Sequence, residues 1–153
     1  MLVTVSFDKN MVAQTIEKAV FNFCRIEGIP FAAPQIERER GKPIVTNLPI
    51  HISLTHSRQT VAVAVSFNPV GIDIEYKKSL DYKAIANRFF EIVPQSEDGF
   101  FALWTAKEAY AKALNIPLVS ALKNTDYSRI SALNILKDYA LSVWGDKDIY
   151  IVI

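Results

Sequence analysis

The chain carries one cysteine, two histidines and five glycines in 153 residues, and its 17 lysines and arginines are nearly matched by 16 aspartates and glutamates. Each shortage narrows the possibilities. Cys24 has no partner for an internal disulfide, and its place among apolar residues of a predicted helix suits a small buried side chain in a reducing compartment. A net charge of +1 leaves no broad electrostatic footprint for nucleic acid, so no nucleic-acid partner is expected and any anion site must be local. No apolar run approaches membrane-spanning length, and the opening Met1-Leu2-Val3-Thr4-Val5 lacks the basic region of a signal peptide. A cytoplasmic protein without a membrane partner is expected. With half its residues hydrophobic, the chain is long enough for one domain with a substantial core, spanning 1–153.

Leu2 to Phe7 alternates as a short strand, and Asp8 or Asn10 can cap a helix whose apolar stripe is Val12, Ile16, Val20 and Phe23, ending at Gly28. Prolines at 30, 34, 43 and 49 predict one extended loop, with a polar turn at Glu37-Arg38-Glu39-Arg40-Gly41-Lys42-Pro43. His51 to Thr55 and Thr60 to Phe67 read as strands joined around His56-Ser57-Arg58-Gln59. Ser79 is the expected cap of a helix reaching Phe90. A longer helix is predicted from Glu97 to Leu114, entered through Pro94-Gln95-Ser96 and stopped by Asn115 and Pro117. Tyr139 to Trp144 and Ile149 to Ile153 read as a C-terminal hairpin across Gly145-Asp146. This order predicts an α+β fold with antiparallel pairing, since consecutive strands are joined too tightly for parallel crossovers.

Two segments carry the chemistry. In Gly71-Ile72-Asp73-Ile74-Glu75, alternation sends Val70, Ile72 and Ile74 to one face and both carboxylates to the other. In Trp104-Thr105-Ala106-Lys107-Glu108-Ala109-Tyr110-Ala111-Lys112, helical spacing puts Trp104, Glu108 and Lys112 on one face. If the two faces meet, Asp73, Glu75 and Glu108 converge as hard oxygen ligands, which suit Mg²⁺ better than zinc. Lysines beside such a cation repel it unless an anion lies between, and a substrate phosphate meets both demands. Spacing alone favours a second reading, in which these are solvated faces with ordinary surface ion pairs. His56 then reads as a turn histidine bonded to backbone, His51 as structural, and Phe100, Phe101, Trp104 and Tyr110 as packing.

The same two segments resemble the signatures of the 4'-phosphopantetheinyl transferase superfamily, a G-[IV]-D-[IV]-E strand and a W-x-x-K-E-[AS]-x-x-K helix. Upstream, Gly41-Lys42-Pro43, Asn47-Leu48-Pro49 and Thr55-His56-Ser57 resemble segments of its surfactin-synthetase-activating type. The resemblance runs from about Gly28 to Leu118, and more loosely to the C-terminal strands. About seventy residues precede the acidic strand, which favours this pseudo-dimeric type over the short trimeric one. It implies antiparallel sheets with packed helices in two pseudo-duplicated halves, about 1–70 and 71–153.

The resemblance further implies transfer of the phosphopantetheine arm of coenzyme A to a serine of an acyl or peptidyl carrier protein, in fatty-acid, polyketide or peptide synthesis. Asp73, Glu75 and Glu108 are the implied Mg²⁺ ligands. Glu108 is also the implied base toward the serine hydroxyl, and Lys112 the group that neutralises phosphate charge, with Lys107 in support. Lys42, Pro43, Thr55 and His56, with Asp73, match positions that hold the coenzyme. The chain departs from the pattern at Phe90-Glu91-Ile92-Val93-Pro94, where the type has F-[ST]-x-x-E, at Asn115, where a glycine is usual, and in lacking a basic N-terminal arm. Those departures keep an alternative in view, a non-catalytic relative that binds coenzyme A or carrier protein. Both signatures share one chain, so a monomer can complete the site, while a homodimer could cover an edge.

Overall fold

In β5 (Thr60–Ser66) every side chain is apolar or small, and both faces of the strand are buried. Val61, Val63 and Val65 pack on α1 (Val12–Glu27), while Ala62 and Ala64 face a second sheet. The strand lies inside a four-stranded sheet of order β4-β5-β1-β9, formed with β4 (His51–Ser57), β1 (Leu2–Ser6) and β9 (Tyr150–Val152). The computed structural model describes residues 1–153 throughout. The apolar stripe of α1 lies as its spacing predicts, with Ile16, Val20, Phe23 and Cys24 buried and Gly28 closing the helix in a left-handed conformation.

The second sheet is antiparallel, in the order β6-β8-β7, from β6 (Gly71–Tyr76), β8 (Tyr139–Trp144) and β7 (Ile130–Ala132). Its inner face supplies Ile72, Ile74, Leu141 and Val143, which meet Val3, Val5, Ala62 and Ala64 of the first sheet. The sheets therefore pack face to face, with α1 outside one and α3 (Glu97–Leu114) outside the other. A third apolar cluster joins α3 to α2 (Tyr82–Phe89) and α4 (Leu118–Lys123) through Phe90, Phe100, Phe101 and Leu122. Trp104 stacks on Phe100 at 5.8 Å, so these aromatics are packing, as read from the sequence. No helix is long and apolar enough to cross a membrane.

The architecture is α+β, with four differences from the sequence reading. Within the proline-rich stretch, β2 (Ile36–Glu39) and β3 (Lys42–Val45) form a hairpin whose two-residue turn has positive φ at Arg40 (50°) and Gly41 (88°). Pro43 is tolerated there because an edge strand needs no amide donor on its outer side. The expected C-terminal hairpin does not form. Instead β8 joins β6, whereas β9 crosses to the other sheet and runs parallel to β1, pairing Val3 with Ile151. Alternation identified both strands but says nothing about which strand each one pairs with. The strand from His51 extends to Ser57, leaving Arg58-Gln59 as the turn, and α2 is capped by Asp81, which accepts from the Ala84 amide, rather than by Ser79.

Candidate metal and phosphate site

Why α3 lies so close to β6 begins with a missing atom. A Cβ on Gly71 would fall 1.8 Å from the Ala109 carbonyl oxygen and 2.5 Å from the Ala113 amide, so only glycine lets the helix backbone rest there. Small helix residues complete the approach, with Ala109 and Ala113 buried against Trp144. Thr105 and Ser142 bond through their hydroxyls at 2.8 Å, which sets the rotation of α3 on the sheet. The helix is capped as expected by Ser96, which accepts from the Gly99 amide, and by Asn115 in a left-handed conformation.

This seating brings the acidic face of β6 against one face of α3. Asp73, Glu75 and Glu108 each place a carboxylate oxygen within 4.8 Å of the others'. Burial pushes all three carboxyls above their ordinary values, and the Asp73 charge raises Glu75 and Glu108 further, Glu108 to about 7. Such a cluster is a site for positive charge. The Lys112 ammonium supplies part of it, donating to Asp73 Oδ1 at 2.5 Å and lying 3.8 Å from Glu108. Asp73 Oδ1 also accepts from the Thr55 hydroxyl at 3.0 Å, whereas its Oδ2 is buried without any partner. An unpartnered buried carboxylate oxygen beside two further carboxylates fits a hard divalent cation such as Mg²⁺.

Beside the cluster opens a cavity of about 290 Å³, lined by Arg40, Lys42 and Pro43 of the hairpin, by Ser53 and Leu54 of β4, and by Glu108 and Lys112. Lys42 donates to the Ala113 carbonyl at 2.9 Å, pinning the hairpin to the end of α3, and burial pushes its pKa down. Three cationic side chains thus line the cavity, and Glu108 borders both it and the carboxylate cluster, an arrangement that can hold a phosphate and a metal together.

Residues 69–143, which run from the start of the acidic strand through α3 to β8, match the family model for the 4'-phosphopantetheinyl transferase superfamily. Over this stretch the chain is similar to that superfamily. Among curated relatives, it is 43% identical over 88 residues to the 4'-phosphopantetheinyl transferase gsp of Aneurinibacillus migulanus, covering 51% of this chain and 36% of that protein. It is 43% identical over 83 residues to psf-1 of Bacillus pumilus, covering 47% and 35%. To the 4'-phosphopantetheinyl transferase Sfp of Bacillus subtilis it is 36% identical over 98 residues, covering 54% and 43%. The chain spans less than half the length of these relatives.

Of the superfamily motif residues, the structure brings together Asp73, Glu75, Glu108 and Lys112, with Lys42 and Pro43 across the cavity. Lys107 does not join them. It turns away from the site, is buried, and donates to the Leu122 carbonyl at 2.7 Å beneath the rings of Phe90 and Tyr127, fastening α4 to α3. Neighbouring helix positions point about 100° apart, so Glu108 and Lys107 cannot both face β6. His56 is exposed and, by alternation, lies on the face of β4 opposite to Thr55, outside the cavity lining. Thr55 is 6% exposed, and its hydroxyl reaches the site through Asp73 rather than by lining the cavity. His51 borders a neighbouring depression beside Lys42, and burial with the nearby ammonium pushes its pKa down. The sequence reading passed over Ser53, Ser57 and Arg40. The hydroxyls recurring at every second residue of Ser53-Leu54-Thr55-His56-Ser57 were the available signal.

Proposed function

We propose that the protein transfers the 4'-phosphopantetheine group of coenzyme A to a serine hydroxyl of an acyl or peptidyl carrier protein, with Mg²⁺ as cofactor. The observation that carries this reading is the convergence of Asp73, Glu75 and Glu108 around a lysine, at the edge of a cavity lined by further cations. The names of the similar proteins support the reaction class, since each is called a 4'-phosphopantetheinyl transferase.

In the proposed reaction the carrier serine oxygen forms a bond to the phosphorus that bears the pantetheine arm. The bond from that phosphorus to the bridging oxygen breaks, and adenosine 3',5'-bisphosphate leaves with the electron pair. Glu108, which borders the cavity, receives the serine proton directly or through water. Asp73, Glu75 and Glu108 would hold Mg²⁺, whose contribution when bound is to neutralise charge on the pyrophosphate oxygens. Lys112 touches both Asp73 and the cavity, so its ammonium can follow negative charge from the carboxylate to the phosphate. Lys42 and Arg40 provide charge for the nucleotide end.

Incubation with coenzyme A, Mg²⁺ and an apo carrier protein is expected to add the mass of one phosphopantetheinyl group, and Glu108→Gln to abolish that addition. Wild-type protein that binds coenzyme A yet modifies no apo carrier protein from either synthase class would overturn the catalytic reading and leave binding alone.

A further inference from the structure

The outer edge of β6 has no strand beside it. Its partner in the sheet is β8, and the amides of Ile72, Ile74 and Tyr76 point the other way, toward the face of β4. Each finds a hydroxyl there. Ile72 N–H donates to Ser53 Oγ at 3.1 Å, Ile74 N–H to Thr55 Oγ1 at 3.4 Å and Tyr76 N–H to Ser57 Oγ at 2.9 Å. Side chains two residues apart on one strand thereby do for the edge of another what a backbone ladder would do.

The chemistry of a hydroxyl gives this joint a second use. A hydroxyl has one proton, and once its oxygen accepts an amide it can still donate that proton elsewhere. Thr55 donates to Asp73 Oδ1 at 3.0 Å and Ser57 to Glu75 Oε2 at 3.2 Å. Each rung therefore grips the backbone of β6 and, through the same atom, the carboxylate one residue earlier. Ser53 stands opposite Gly71, which has no side chain, so this rung accepts an amide and holds no carboxylate.

We infer that Ser57 is a positioning residue for the metal centre, and that the Thr55 and Ser57 rungs orient Asp73 and Glu75 toward Glu108 before any ligand arrives. This rests on the metal site proposed above. Glu75 is the least buried carboxylate on β6 and its side chain has no other hydrogen bond, so Ser57 alone selects among its rotamers. Ser57 ends β4 and is itself partly exposed, so its substitution leaves the core untouched. Ser53 is the internal control, because Ser53→Ala removes an equivalent amide acceptor without releasing a carboxylate.

The test is Mn²⁺ binding to the free protein, read by calorimetry and by loss of the free-ion electron paramagnetic resonance signal, with no coenzyme or carrier present. Ser57→Ala is expected to weaken Mn²⁺ binding about tenfold, in the range for removing an outer partner of a metal ligand. Ser57→Thr, which keeps the hydroxyl, is expected to restore binding to within twofold. Ser53→Ala is expected to lower thermal stability while changing Mn²⁺ affinity less than twofold. Ser57→Ala with wild-type affinity, or a loss shared equally by Ser53→Ala, would overturn the positioning role while leaving the metal site standing. Wild-type protein whose Mn²⁺ binding ignores Asp73→Asn would overturn the metal site and this inference with it.

Discussion

Glu108→Gln is expected to stabilise the protein while abolishing its proposed activity, and the gain should depend on pH. Gln keeps the size and shape of the side chain and removes only the charge. In the folded chain the Glu108 carboxyl titrates at about 7 instead of 4.5, first because it is buried and then because Asp73 lies beside it. Between those two values the folded protein retains a proton that the unfolded chain has released, so stability falls as pH rises through this window and levels off above it. The ionised group costs the folded state about 3 kcal/mol, at 1.36 kcal/mol for each tenfold change in proton affinity. Because Gln carries no such cost, the variant should match the wild type near pH 4.5 and exceed it by that amount at pH 8. For a chain of this size the difference corresponds to about 5 to 10 °C in Tm. Urea unfolding in EDTA at a series of pH values measures it directly. Added Mg²⁺ should close most of this gap, since a cation at a hundred times its dissociation constant stabilises the wild type by about 2.7 kcal/mol and the variant far less. A stability difference that is flat from pH 4.5 to 8, or a variant less stable at pH 8 in EDTA, would refute the argument that three carboxylates meet here with only one ammonium to offset them.

Lys112→Met removes the cation now resting on Asp73, so Mn²⁺ affinity without coenzyme should rise about tenfold, or 1.4 kcal/mol, while coenzyme A binding weakens; calorimetry with each ligand separates the two effects. Gly71→Ala forces a Cβ onto the backbone of α3 and should cost about 3 kcal/mol or more, or yield insoluble protein, judged by urea unfolding beside the wild type. Lys107→Met strands the Leu122 carbonyl and should lower stability by about 1 to 2 kcal/mol, yet leave Mn²⁺ affinity within twofold, because that side chain points away from the site. A large change in metal binding there would contradict the assignment of Lys107 to the α3–α4 junction.

The residues of the site differ in how plainly they could be read. Asp73 and Glu75 were legible because alternation on a strand whose other face is Val70, Ile72 and Ile74 leaves the carboxylates only one direction. Glu108 and Lys112 followed from helical spacing. Lys107 was misread because a motif names residues in line, whereas a helix turns about 100° at each step and only its seat on the sheet decides which of two neighbours faces the ligands. Thr55 lay in the resemblance as a contact for the coenzyme, but its hydroxyl is bonded to Asp73 and to the Ile74 amide. Ser57 carried no motif signal strong enough to single it out. Its importance depends on β6 presenting an unpaired edge to β4, a fact of tertiary packing.

By itself the sequence determined most of the strands and the longer helices, the α+β class and the chemical character of the acidic strand and its lysine-bearing helix. These depend on local periodicity and on side-chain type, both of which act over a few residues. Only the tertiary structure decided the parallel pairing of β9 with β1, the direction of Lys107, and the hydroxyl joint that ties β4 to the carboxylates of β6. Strand partners and helix rotation are set by contacts between segments far apart in the chain, where Gly71 against Ala109 and Thr105 against Ser142 fix how the two signature segments meet.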